Sequence, residues 1–206
     1  MDEWLEATAP LAAHLIACLS KFAAQTADVN MSLTAIELLW KVTDLAIAAS
    51  TDRDPSATFA MFEVTATTLQ RLALDHRPEI RNCACNTLFS AITAHAHTPA
   101  ALLTSLRLKA VFDAAVFPLF ELAGASSRRA VLANVEAVAP ELKKGIKMAV
   151  HHSRDTTQKQ WSETQTLALK GLARLLKTVT RNMLGEVDAW SGQTWADAVC
   201  QACHSK

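Results

Sequence analysis

Hydrophobic positions recur every three to four residues through most of this chain, in blocks of about 17–25 residues separated by polar, capping-rich breaks. The spacing predicts helices at 9–26, 33–49, 55–74, 78–96, 99–122, 158–180 and 186–203. Asp54-Pro55 and Thr98-Pro99 each set a capping side chain before a proline at the first helical position. Thr34-x-x-Glu37 and Thr157-x-x-Gln160 fit the capping box, in which each side chain satisfies a free backbone N–H at the other. No run of alternating β-branched residues predicts a strand.

The faces of two helices carry more information than their ends. In 33–49, Ile36, Leu39, Trp40, Thr43 and Ile47 share one side, while Leu38, Val42, Leu45 and Ala49 form a second apolar stripe. Glu37, Lys41 and Asp44 are left as a narrow polar strip. In 78–96, Ile80, Ala84, Leu88, Ala91 and Ile92 make one face and Cys85 and Phe89 another, with Asn82, Asn86 and Thr93 polar. A helix that is apolar on two sides is expected between neighbours, as in a stack of helical hairpins. The fold class that follows is all-α, a HEAT/armadillo-like helical-repeat solenoid of about seven main helices.

Composition narrows the class. Apolar residues make up 50% of the 206 and charged residues 19%, which excludes disorder. Few Gly and Pro and no Tyr favour helix over sheet. The first residues, MDEWLEATAP, are acidic where a signal peptide is basic, and no apolar run reaches the ~20 residues of a spanning helix. Five cysteines, an odd number, suit a reduced, intracellular protein.

The formal net charge of +0 conceals a segregation. Residues 1–123 hold 8 Lys/Arg against 13 Asp/Glu, residues 124–181 hold 11 against 4, and residues 182–206 hold 1 against 3. A basic stretch inside a neutral protein points to local docking rather than to nucleic acid. The expected organisation is hairpins over 1–123, a basic linker over 124–157 with a short helix near 130–139, and a C-terminal hairpin over 158–206. Gly124-Ala-Ser-Ser opens the linker, which carries Arg128, Arg129, Lys143, Lys144 and Lys147.

Several motifs imitate chemistry. Cys200-Gln-Ala-Cys203-His204 fits the c-type haem attachment pattern, but a three-position match carries little weight, and small hydrophobes on a terminal helix explain it. Cys83 and Cys85, two apart on a helix, point away from each other and suit a core better than a metal. His151, His152, Ser153 and Asp155 contain the residue types of a hydrolase triad, yet neighbours in sequence do not supply triad geometry. No catalytic, cofactor or metal residues are therefore expected, and no enzymatic activity.

Binding surfaces are the remaining candidates. Lys170, Arg174, Lys177 and Arg181 recur at spacings of four, three and four on helix 158–180, opposite a face with Trp161, Ala168, Leu172, Leu175, Leu176 and Val179. Such a stripe suits a solvated surface, an acidic partner or anionic lipid headgroups. The polar run His151, His152, Ser153, Arg154, Gln158, Lys159 and Gln165 is the expected partner-binding surface, with Trp161 anchoring the helix in the core and Gln158 and Gln165 bonding the preceding loop.

Asp75-His-Arg-Pro78-Glu-Ile80-Arg81-x-x-Ala84-x-x-x-Leu88 resembles the inter-helix turn and second helix of a HEAT repeat. That resemblance implies a polar ladder between adjacent repeats at Asp75 and Arg81. SLTAIELLWKVTDLA (32–46), DHRPEIRNCACNTLFSAITAHA (75–96) and VFPLFELA (116–123) resemble the HEAT-like regions of large Arf guanine nucleotide exchange factors. HHSRDTTQKQWSETQTLALKGLARLL (151–176) is more restricted, and resembles the C-terminal half of the MON-two (monensin-sensitivity) family, relatives of those factors without a Sec7 domain. The resemblance implies a scaffold in endosome-to-Golgi traffic, cytoplasmic and peripheral at trans-Golgi network and endosome membranes. Its implied partners are Dopey-type proteins and Arf-family GTPases, with peripheral contact to anionic membrane and no nucleic acid. The alternatives are a regulatory region of a Sec7-type exchange factor, or a nuclear-transport or phosphatase scaffold.

Overall fold

The computed structural model describes residues 2–50, 55–96, 103, 105–143 and 156–183. They form α1 (Asp2–Ala24), α2 (Val29–Ser50), α3 (Pro55–Leu72), α4 (Pro78–His95), α5 (Ser105–Val111), a π-helical segment (Phe112–Val116), α6 (Phe117–Lys143) and α7 (Thr157–Met183). No strand occurs among the described residues. The expected all-α repeat fold is what forms.

The helices pair as three hairpins. α1 packs on α2, α3 on α4, and α6 on α7. Across the hairpins, α2 and α4 adjoin, as do α4 and α7, while α1 lies on α3 and α3 on the α5–π–α6 helix. Two layers result, and one continuous core runs between them through Ile36, Leu39, Phe62, Ile80, Leu88 and Leu175. α4, between α2 and α7, buries both expected faces: Ile80, Ala84 and Leu88 on one, Cys85 and Phe89 on the other.

α2 departs from the expectation. Ile36, Leu39, Thr43 and Ile47 are buried, but Leu38 and Leu45 of its second stripe are exposed and Val42 is half-buried. One flank of α2 has no neighbour among the described residues.

The capping residues also differ from those expected. Asp28, not Thr34, starts α2: its Oδ1 accepts from the N–H of Asn30 (2.7 Å) and Met31 (3.2 Å). The Gln25 carbonyl and side chain close this turn, with Oε1 accepting from the N–H of Ala27 (2.6 Å) and Asp28 (2.9 Å). Thr156, one residue before the expected position, caps α7 through the N–H of Lys159 (3.3 Å). Pro78 opens α4 as expected, and Arg77 before it is extended at φ −82°, ψ 118°. Asp54, Thr98 and Pro99 lie outside the described residues, as does the expected helix 186–203.

The largest correction concerns the linker. Residues 124–143, expected as a basic linker with only a short helix near 130–139, continue α6 without a break through Gly124. Glycine costs a helix interior about 1 kcal/mol relative to alanine, and the α6–α7 contact together with the alanines at 123, 125 and 130 outweighs it. The π-helical segment has a local cause. Pro118 has no N–H to donate, and in an α-helix its ring would meet the Ala114 carbonyl. The turn before it is widened, and the Phe117 N–H bonds the Phe112 carbonyl five residues back.

Candidate functional site

The α3–α4 turn organises the polar centre of the stack. The Asp75 carboxylate accepts from the backbone N–H of Arg77 (2.9 Å), from its Nε (2.9 Å) and from its Nη2 (2.8 Å). His76 Nδ1 lies 3.1 Å from the same carboxylate. Burial pushes the Asp75 carboxyl up, but the Arg77 hydrogen bonds outweigh it and hold the group below the ordinary carboxylate value. The Asp75 carboxylate in turn raises the Arg77 guanidinium, against burial. Arg77 Nη1 then reaches back to the Gln25 carbonyl (2.9 Å) and Ser32 Oγ (3.3 Å) in the first hairpin.

Arg81, one turn further along α4, faces the third hairpin. Its side chain is buried, and Nη1 donates to the carbonyls of Asp75 (2.9 Å) and His76 (3.0 Å). Nε donates to Thr164 Oγ1 on α7 (3.1 Å), and the guanidinium lies 4.1 Å from the centroid of the Trp161 ring. Thr164 hydrogen-bonds Asn82 Oδ1 (2.9 Å) and the Gln160 carbonyl (3.1 Å). Nη2 of Arg81 is buried without a hydrogen-bond partner. Burial lowers the Arg81 pKa, opposed by the charges of Asp75, Glu79 and Glu163.

The ladder expected at Asp75 and Arg81 is therefore divided. The Asp75 side chain pairs with Arg77 toward the first hairpin, and Arg81 takes the Asp75 backbone carbonyl and reaches toward the third. Arg77 and Thr164 were absent from the sequence expectation. Trp161 was expected as a core anchor; it is half-buried, and its ring covers Arg81.

Of the expected partner-binding residues, His151, His152, Ser153 and Arg154 lie outside the described residues. Gln158 and Lys159 are exposed on the first turn of α7. Gln165 is half-buried and faces α6, where a Cβ at Gly124 would lie 3.8 Å from its Nε2. Lys170, Arg174 and Lys177 are exposed along α7, and Arg181 follows them in the helix without a described side chain. The turn and the basic stripe are separate features, not one constellation.

A second buried polar group sits between the first two hairpins. His95 of α4 stands edge-on to Trp40 (5.4 Å between ring centroids) and Phe62 (5.6 Å), with Nε2 3.3 Å from Asp44 Oδ1. Burial lowers its pKa, against the Asp44 charge and hydrogen bond. Burial also pushes the Cys85 thiol up to about 12, with Arg174 opposing, and raises Cys83. Among the described residues no three His, Cys, Asp or Glu gather closely enough to hold a metal ion, and no helix is long and apolar enough to cross a membrane.

Residues 58–205 match the family model described as the C-terminal region of Mon2 protein. The Drosophila melanogaster protein MON2 homolog is 33% identical over 197 residues, covering 85% of this chain and 11% of the relative. The Caenorhabditis elegans monensin-resistant homolog 2 is 29% identical over 181 residues, 88% of this chain and 10% of the relative. The Homo sapiens protein MON2 homolog is 30% identical over 184 residues, 76% of this chain and 10% of the relative. The chain thus spans about a tenth of the length of the curated relatives it matches. No solved structure matches it. With the family model covering α3 through α7, the chain belongs to the Mon2 family and corresponds to its C-terminal region.

Proposed function

We propose that this chain is a non-catalytic scaffold or adaptor segment in endosome-to-Golgi vesicle and protein traffic. The observation that carries the reading is the match of residues 58–205 to the C-terminal region of Mon2 protein. The fold supports it physically: stacked hairpins tied by Arg77 and Arg81 make a stiff frame with long exposed helix faces, a form suited to extended protein partners. The partners proposed are Dopey-type proteins and Arf-family GTPases. The basic stripe of α7 is proposed to touch an acidic partner or the headgroups of anionic membrane, and the proposed location, by family, is the cytoplasm at the periphery of trans-Golgi network and endosome membranes.

The test is localisation of the tagged protein against a trans-Golgi marker in its source cell, paired with identification of co-purified partners. Marker overlap with a Dopey-type protein among the leading partners is the expected result. Diffuse distribution, with nuclear-transport GTPases or phosphatase subunits leading, overturns it.

A further inference from the structure

α4 has α2 on one side and α7 on the other, so its open face lies within the stack and not at an end of it. α4 and α7 run parallel: Arg81 and Asn82 bond Thr164, and further along Phe89 lies against Gly171. At 3.6 residues per turn, Asn82, Asn86 and Ser90 lie roughly 20–100° round α4 from Phe89. Lys170, Arg174 and Lys177 lie roughly 60–120° round α7 from Gly171 in the opposite sense, away from Gln165 and α6. The two rows therefore border one groove on the open face of the α4–α7 pair. Its α4 side is short and polar, with Asn86 and Ser90 exposed. Its α7 side is cationic. Lys41 and Lys109 are paired with Glu37 and Asp113, whereas Lys170, Arg174 and Lys177 are exposed and form no ion pair with a described carboxylate.

We propose that this groove docks an acidic, extended segment of a protein partner, with its carboxylates on Lys170, Arg174 and Lys177 and its backbone on Asn86. The proposal rests on the acidic-partner reading of the α7 stripe and narrows it to a site. Along α7 the three cations are spaced by about 6 and 4.5 Å. Carboxylates at alternate positions of an extended chain are about 6.6 Å apart, so two of them match neighbouring cations. The Asn86 amide offers one donor group and one acceptor, the complement of an extended backbone. Glu163, exposed about 10 Å before Lys170, ends the cationic stretch, so the segment is uncharged beyond its acidic residues. A flat anionic bilayer on this face would meet Glu163, Glu79, Glu37 and Asp44, all exposed, together with the cations. A narrow segment laid along α7 meets the cations alone, which is the selectivity that charge complementarity supplies.

A nitrogen-15 NMR titration of the 206-residue chain with the probe peptide Gly-Ser-Gly-Ser-Asp-Ser-Asp tests the site, with Asn in place of both Asp as the control peptide. The expected result is movement of the Asn86 side-chain amide, assigned by its loss in Asn86→Ala, together with the backbone amides around Lys170 and Arg174. The control peptide should move neither. A Lys170→Glu, Arg174→Glu variant should bind the probe at least tenfold more weakly, and Lys21→Glu on α1 should bind it like the parent. These side chains are all exposed, so the variants should keep the parent's helicity. Equal loss in Lys21→Glu means charge attraction without a site and overturns the groove. A probe that moves nothing at millimolar concentration also overturns it, and vesicles containing phosphatidylserine that move the Lys170 and Arg174 signals instead assign the face to lipid. Absence from the trans-Golgi would count against the trafficking reading and leave this titration unchanged, so the two failures are distinct.

Discussion

Gly171 of α7 and the Phe89 ring of α4 are in such close approach that a Cβ on Gly171 would lie 2.4 Å from Cγ and Cδ2 and 2.8 Å from Cβ of Phe89. Both residues are buried, and Phe89 also meets Phe120 of α6 in a tilted contact at 6.3 Å. Because the Phe89 Cβ is among the clashing atoms, rotation of the ring alone does not make room. Gly171→Ala gains helix propensity of up to about 1 kcal/mol, but it forces α7 away from α4. Overpacking of this kind costs about 1–3 kcal/mol, so the net expectation is a melting temperature lowered by several degrees. Thermal melts of Gly171→Ala, Phe89→Ala and the double variant check it, since alanine at 89 removes the Cγ and Cδ2 that lie nearest. The smaller side chain at position 89 should recover part of the loss.

Arg81 joins the second hairpin to the third through Thr164 Oγ1 and the Trp161 ring of α7, while its Nη1 holds the Asp75 and His76 carbonyls. Arg81→Ala would leave the Asp75 and His76 carbonyls without their buried donor and Trp161 without the guanidinium it covers. Loss of a buried, hydrogen-bonded charged side chain is expected to cost about 3 kcal/mol or more. Thr164→Val removes one acceptor of the same network and is expected to cost about 1–2 kcal/mol. Urea unfolding of both variants and their combination separates the shared part, and the double loss should be less than additive. Additive losses would mean that Arg81 and Thr164 act independently despite the 3.1 Å contact.

His95 makes the α2–α4 contact sensitive to acid. Its pKa in the fold is lowered from the ordinary 6.5 because burial disfavours the imidazolium. The unfolded chain therefore binds the proton more readily, and stability falls as pH drops through about 6.5 toward the folded value. Asp44 opposes this, but it is half-exposed and its attraction is screened. His95→Phe keeps an aromatic ring between Trp40 and Phe62 and removes the titration. Melting temperatures from pH 7.5 to 5 should show the parent losing more than His95→Phe. A difference between the two that stays constant with pH would refute the assignment.

The two-sided face of α4 was legible because Ile80, Ala84, Leu88, Cys85 and Phe89 all have neighbours within this chain. The same pattern on α2 misled, since apolar spacing tells which residues avoid water but not whether this chain supplies the cover. Helix starts slipped where several capping side chains stand close together: Asp28 and Thr156 win over Thr34 and Thr157 because the chain turns there. Gly124-Ala-Ser-Ser resembles a break locally and is helical because α7 packs along it. Arg81 meets Thr164 across 83 positions, a relation that no local pattern contains. Arg77 was within reach of sequence reasoning: the residue before Pro78 is extended, which lets its side chain fold back onto Asp75.

The basic stripe gives the most direct test of membrane contact. Lys170, Arg174 and Lys177 are exposed on one side of α7, and Arg174 also biases the Cys85 thiol toward its thiolate. Each basic residue near an anionic surface contributes about 1 kcal/mol, so replacing all three with glutamate should weaken vesicle binding by more than about a hundredfold at low salt. Because the side chains point to solvent, helicity by circular dichroism should be unchanged. Co-sedimentation with vesicles containing phosphatidylserine, at low and physiological salt, compares parent and triple variant. Failure of the parent to bind such vesicles at low salt removes the lipid contact and leaves an acidic protein partner for the stripe. Equal binding by the triple variant would place any membrane contact elsewhere on the molecule.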